Sequence, residues 1–79
     1  MADFPLSKIP VISGAAAVKA FKRAGWSERS RSGTSHITMF KTGNRLILTI
    51  PQHKAVKKPL LKGLIIASGL TLNEFLNLL

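Results

Sequence analysis

The clearest helical pattern lies over residues 13–24, where Ala17, Phe21 and Ala24 fall at i, i+4 and i+7 with Val18 beside them. Lys19, Lys22 and Arg23 take the opposite side, so one face is apolar and the other cationic. Ser13 is placed to cap this helix and Gly25 to end it as a C′ residue. Residues 1–12 carry Pro5 and Pro10 and no helical period. They read as an extended arm with Ile9, Val11 and Ile12 against the core.

From Trp26 onward the period shortens to that of strands. Residues 26–31 form a weak first strand with Trp26 turned inward, residues 35–41 a second and residues 45–50 a third. Ser32-Gly33 makes the first turn and Thr42-Gly43-Asn44 the hairpin loop, so three short-linked strands predict an antiparallel meander. Ile37 and Met39 alternate with His36, Thr38 and Phe40, while Leu46, Leu48 and Ile50 alternate with Arg45, Ile47 and Thr49. Pairing the more apolar sets turns Ile37, Met39, Leu46, Leu48 and Ile50 toward the helices. His36, Phe40 and Ile47 then face outward, the last two as a contact surface for a partner or as scattered surface apolars.

Pro51 closes the third strand, because it has no N–H for a ladder. The loop Gln52-His53-Lys54-Ala55-Val56-Lys57-Lys58 delivers a second histidine and three lysines to the next helix, with Pro59 at its N1 position. Leu61, Leu64, Ile65 and Ser68 form the inward stripe, and Gly69 stops the helix. Thr71 and Glu74 have capping-box spacing, with Leu70 and Phe75 at the positions of a hydrophobic staple. A short last helix follows, with Leu72, Phe75, Leu76 and Leu79 at core-like spacing. The elements define an α+β fold, α-β-β-β-α plus a terminal helix, with an arm over 1–12 and a compact core over 13–79.

Composition narrows the class. Seventy-nine residues suit one small domain that buries only about 60% of its unfolded surface, and a 46% hydrophobic content supplies the core. The chain has no cysteine, which excludes disulfides and thiolate chemistry and suits a reducing cytoplasm. Two histidines and three acidic residues without ligand spacing argue against a metal site, and no cofactor motif is present. Residues 1–5 do not open like a secretory signal, and the apolar run over 63–73 is too short to span a bilayer. Twelve Lys and Arg against three acids leave a net charge of +9, which points to a polyanionic partner.

Within that basic frame His36 stands near a strand start beside a loop, where an imidazole exchanges protons near neutral pH or is simply a surface residue. Arg31, Lys54, Lys57 and Lys58 are candidates for holding phosphate, the last two aided by backbone N–H groups at a helix start. Each is also an ordinary solvated cation when taken singly.

The element order with strong positive charge resembles the double-stranded-RNA-binding-domain architecture. Pro10-Val11-Ile12-Ser13-Gly14, Ala24-Gly25-Trp26, Ser35-His36, Thr49-Ile50-Pro51-Gln52-His53-Lys54 and residues 67–75 (ASGLTLNEF) follow in one order. Together they resemble the HicA toxin family, the RNA-cleaving members of HicA–HicB toxin–antitoxin systems. The resemblance covers residues 9–79. It implies an mRNA interferase inhibited by a HicB-like antitoxin, with His36 as the catalytic histidine of a Gly-Ser-His motif and His53 as the histidine of a Pro-x-His loop. The chain departs from that pattern at Thr34, which stands where the glycine before Ser-His is expected, at Ala55 in place of an acidic residue, and at Pro59-Leu60 in place of Gly-Thr.

RNA supplies its own nucleophile, the 2′-OH. Strand cleavage therefore needs a base for that hydroxyl, stabilisation of the phosphorane and a proton for the 5′-oxygen, with no metal required in principle. His36 suits the base or acid role, commonly worth about 10²–10⁴-fold, and Arg31, Ser35, His53, Lys54, Lys57 and Lys58 are the neighbours expected to hold the RNA. The alternatives are a non-catalytic basic RNA-binding module and a structural protein of a ribonucleoprotein.

Overall fold

A computed structural model describes residues 4–29 and 35–79. Its elements are a 3-10 turn at Leu6–Lys8, α1 Gly14–Arg23, β1 Ser27–Glu28, β2 His36–Phe40, β3 Leu48–Pro51, α2 Lys58–Ser68 and α3 Leu72–Asn77. The three strands form one antiparallel sheet in the order β1-β2-β3, giving the expected α+β fold with α-β-β-β-α order and a last helix.

Local chemistry explains most boundaries. The Ser13 hydroxyl accepts from the Ala16 amide at 3.1 Å, a cap of about 1 kcal/mol. Gly25 continues the chain past α1 with φ 98°, and Gly69 ends α2 with φ 81°, both in the left-handed region that glycine enters without a Cβ penalty. Thr71 and Glu74 complete the capping box in both directions, at 3.1 Å and 2.8 Å. Pro59 sits one place further into α2 than expected, because Lys58 is already helical and Lys57 is the N-cap.

The two longer helices cover one face of the sheet, both reaching β3. Ala17, Val18, Ala20 and Phe21 of α1 and Leu61, Leu64 and Ile65 of α2 meet Ile37, Met39, Leu48 and Ile50 of the sheet. Trp26, Val56, Ile9 and Phe75 complete this core. The Phe21 and Phe75 ring centres are 5.2 Å apart and tilted by 43°, which ties α3 to α1.

Several expectations need correction. The third strand begins at Leu48 and not at Arg45. Asn44 donates its amide to the Lys41 carbonyl, and its side-chain oxygen takes the Leu46 amide at 2.8 Å, so local turn bonds replace the ladder. Leu46 consequently leaves the inward face and is 52% exposed. The arm is not wholly extended, since it contains the 3-10 turn, and Val11 points to solvent while Ile9 is buried. In α3 only Phe75 is buried and Leu72 partly so, with Leu78 half-buried just after it; Leu76 in the helix and Leu79 beyond it are exposed, because six residues offer one inward turn. The first strand is shorter than expected, only Ser27–Glu28 with Trp26 and Arg29 outside it, and Arg31 and the turn expected at Ser32-Gly33 lie outside the described residues.

Candidate functional site

His36 opens β2 and lies opposite Pro51 in the ladder. The amide of Gln52 donates to the Ser35 carbonyl at 2.7 Å, which makes Ser35 and Gln52 a bonded pair and carries the β2–β3 register one step past Pro51. Pro51 therefore falls at a position whose missing N–H costs no β2–β3 bond. The alternation then puts Ile37 and Met39 inward and His36 outward, as expected from the pattern.

Two further backbone bonds fix the loop after β3. The Gly14 amide donates to the His53 carbonyl at 2.9 Å, and the Val56 amide donates to the Ile12 carbonyl at 2.9 Å. Val56 itself is buried, anchoring the loop from below. These anchors set the two imidazoles side by side, with ring centres 6.4 Å apart and planes inclined by 66°. The Ser35 hydroxyl lies 3.4 Å from Nδ1 of His36. Both histidines and Ser35 are exposed.

The cations divide into two sets. Lys22 pairs with Glu28, Arg23 donates to the Leu78 carbonyl, Lys41 donates to the Ala24 carbonyl at 3.0 Å, and Lys62 lies 5.4 Å over the Phe4 ring. These serve the fold at the helix ends and edges. Among the described residues, the side chains of Lys54, Lys57 and Lys58 have no hydrogen-bond or ion-pair partner. Of the described acids, Glu28 pairs with Lys22 and Glu74 closes its capping box. Lys54 adjoins His53 in the chain, and Lys57 and Lys58 stand at the start of α2, which has no side-chain cap.

The structure thus brings Ser35, His36 and His53 together, and among the described residues Lys54, Lys57 and Lys58 have no side-chain partner on the same loop and helix start. Arg31 lies outside the described residues. Sequence reasoning missed the structural role of Gly14, which it read only as a helix opener. A Cβ there would stand 2.0 Å from the Pro51 carbonyl oxygen, so only glycine permits this approach of α1 to β3. It also missed Arg29, whose amide bonds the Thr38 carbonyl at 2.7 Å and whose register opposite Thr38 puts it on the open face. A groove lined by Phe4, Pro5, Lys8, Thr71, Leu72, Asn73 and Leu76 is mostly apolar and contains no histidine.

A serine nucleophile is a poor reading of these groups. Ser35 and His36 are chain neighbours at 3.4 Å, longer than an activated nucleophile–base bond. Two adjacent imidazoles with lysines on the same loop suit proton transfer at a phosphate better. Among the described residues no three His, Cys, Asp or Glu side chains gather, and no helix is long and apolar enough to cross a membrane.

The fold and this site define a small, strongly basic α+β protein with two juxtaposed histidines at one end of its sheet. Residues 14–70 match the family described as the HicA toxin of bacterial toxin–antitoxin systems, and the chain belongs to that family. It is therefore the toxin component of such a system, and a cognate antitoxin is its partner. Comparison with curated proteins gives no match.

Proposed function

We propose that this toxin is an endoribonuclease that cleaves mRNA, with His36 as a general acid or base on the 2′-OH route and no metal requirement. The observation that carries the reading is the exposed His36 imidazole at the start of β2, held by the Gln52–Ser35 bond beside the loop that bears Lys54, Lys57 and Lys58. An exposed imidazole reaches an RNA backbone without unfolding anything. The loop lysines attract that backbone and offset charge developing on the phosphorane. Ser35 adds a hydroxyl within reach of the same phosphate or of His36 itself. The antitoxin, HicB-like by the family resemblance, covers the histidine side, and the excess of positive charge favours an acidic partner surface.

The test uses purified toxin, RNA and EDTA, with His36→Ala alongside. Cleavage by the unsubstituted toxin and loss of about 10²–10⁴-fold in the variant is the expected result. Equal cleavage by both, or none by either at high toxin concentration, rules the reading out. Salt-sensitive RNA binding without cut products would instead identify a non-catalytic RNA-binding module.

A further inference from the structure

The ribonuclease reading leaves one proton transfer without a donor. Transesterification by the 2′-OH removes a proton at one oxygen and returns one at another, on opposite sides of phosphorus. One imidazole serves one of these oxygens well. Its partner must come from a different element.

We propose that His53 is the second proton-transfer group, working with His36 as an acid–base pair on one phosphodiester. This rests on the ribonuclease reading above. The ring centres are 6.4 Å apart, near enough for one phosphodiester to lie within reach of both. The 66° inclination keeps the rings from stacking face to face. Both side chains are exposed, and their backbones are held by independent bonds, Gln52 to Ser35 beside His36 and Gly14 to the carbonyl of His53. Three separated parts of the chain, α1, β2 and the loop after β3, thus converge to hold two surface imidazoles in fixed relation. Neither imidazole contributes to the core, so packing gives no reason for the pairing.

In the step, neutral His36 takes the 2′-OH proton as the O2′ electron pair forms the bond to phosphorus. The P–O5′ bond breaks with its pair going to O5′, and protonated His53 delivers a proton there. The products are a 2′,3′-cyclic phosphate and a 5′-hydroxyl end. Exchange of one proton with water at each ring restores the starting state. His53 would thereby act as a catalytic residue and not only as a phosphate contact.

A substrate whose scissile 5′-oxygen is replaced by sulfur separates the roles, since a thiolate leaves without a proton. His53→Gln is chosen because the Gly14 bond goes to the backbone of residue 53 and survives the change. On ordinary RNA this variant is expected to lose about 10²–10⁴-fold. On the sulfur-bridged substrate it should cleave within a few-fold of the unsubstituted toxin, whereas His36→Ala remains defective on both. An equal defect of His53→Gln on both substrates, or full activity on ordinary RNA, overturns the pairing while leaving the ribonuclease reading intact. Rescue of His36→Ala in place of His53→Gln overturns the assignment of roles. Failure of the unsubstituted toxin on both substrates overturns the two proposals together.

Discussion

The Gly14 amide donates to the His53 carbonyl at 2.9 Å, so the first residue of α1 and the histidine loop form one unit. The approach is possible because residue 14 has no side chain. A Cβ would meet the Pro51 oxygen at 2.0 Å and the Gln52 Cα at 3.0 Å, and both are main-chain atoms that cannot rotate away.

Gly14→Ala is therefore expected to destabilise the fold by about 1–3 kcal/mol, as overpacking against backbone does, and to lower RNA cleavage further by moving His53 from His36. Gly63→Ala is the matched comparison. That glycine is exposed in α2 with nothing within 4 Å of an added Cβ, so alanine should stabilise by roughly 0.5–1 kcal/mol through helix propensity. Denaturant unfolding of the two variants, with cleavage assays on each, checks the contrast. A stable and fully active Gly14→Ala would show that the α1–β3 approach does not position the site.

The lysines give a second contrast. Lys57 is free of intramolecular partners among the described residues, whereas Lys22 is paired with Glu28. If the free set holds the RNA backbone, Lys57→Gln should weaken binding and reduce the slope of log affinity against log salt by about 0.7, the value for one contact to a single strand. Lys22→Gln should leave the slope unchanged. Binding titrations over a range of salt concentrations measure both.

How the sequence foretold these features depended on whether the cause was local. The cap at Ser13, the capping box at Thr71 and Glu74, and the α2 stripe of Leu61, Leu64, Ile65 and Ser68 were legible because each is a spacing within one turn or helix. The outward position of His36 was legible too, since Ile37 and Met39 fix the face by alternation. Leu46 was misplaced because alternation says nothing of the Asn44 side chain, which captures its amide before the ladder can. The nearness of His53 to His36 was beyond local pattern. It arises from the Ser35–Gln52 pairing and from the contact of α1 with the loop, and Gly14 looked like an ordinary helix opener until its neighbours were known.

The capping box makes a pH prediction. The Thr71 amide donates to Glu74, and with the Thr71 side chain this holds the Glu74 carboxyl below its ordinary value of 4.5. A depressed folded-state value means that the contribution to stability is present above the unfolded value and is lost as pH falls through the folded one. The docking of α3 should thus weaken only on acidification below 4.5, with no change across the neutral range. Thr71→Ala should cost about 1 kcal/mol at neutral pH, and Glu74→Gln should flatten the acid limb. Hydrogen exchange at Phe75 and Leu76, followed from neutral to acid pH, reports the last helix directly. An acid limb unchanged in Glu74→Gln would remove the carboxylate from the explanation.

Phe40 ends β2 on the face of His36, and Ile47 lies just before β3. Both adjoin the last paired residues, Met39 and Leu48, and they are 41% and 45% exposed. Neither belongs to the core, so polar replacement should alter stability by no more than about 0.5 kcal/mol. If the antitoxin covers this end of the sheet, these two exposed apolar side chains belong to the contact. Phe40→Ser with Ile47→Ser is then expected to weaken antitoxin binding at least tenfold while leaving the thermal midpoint nearly unchanged. Cleavage by the doubly substituted toxin should persist at antitoxin concentrations that silence the unsubstituted one. Unchanged affinity with an unchanged midpoint would put the antitoxin elsewhere and leave these two side chains as ordinary surface apolars.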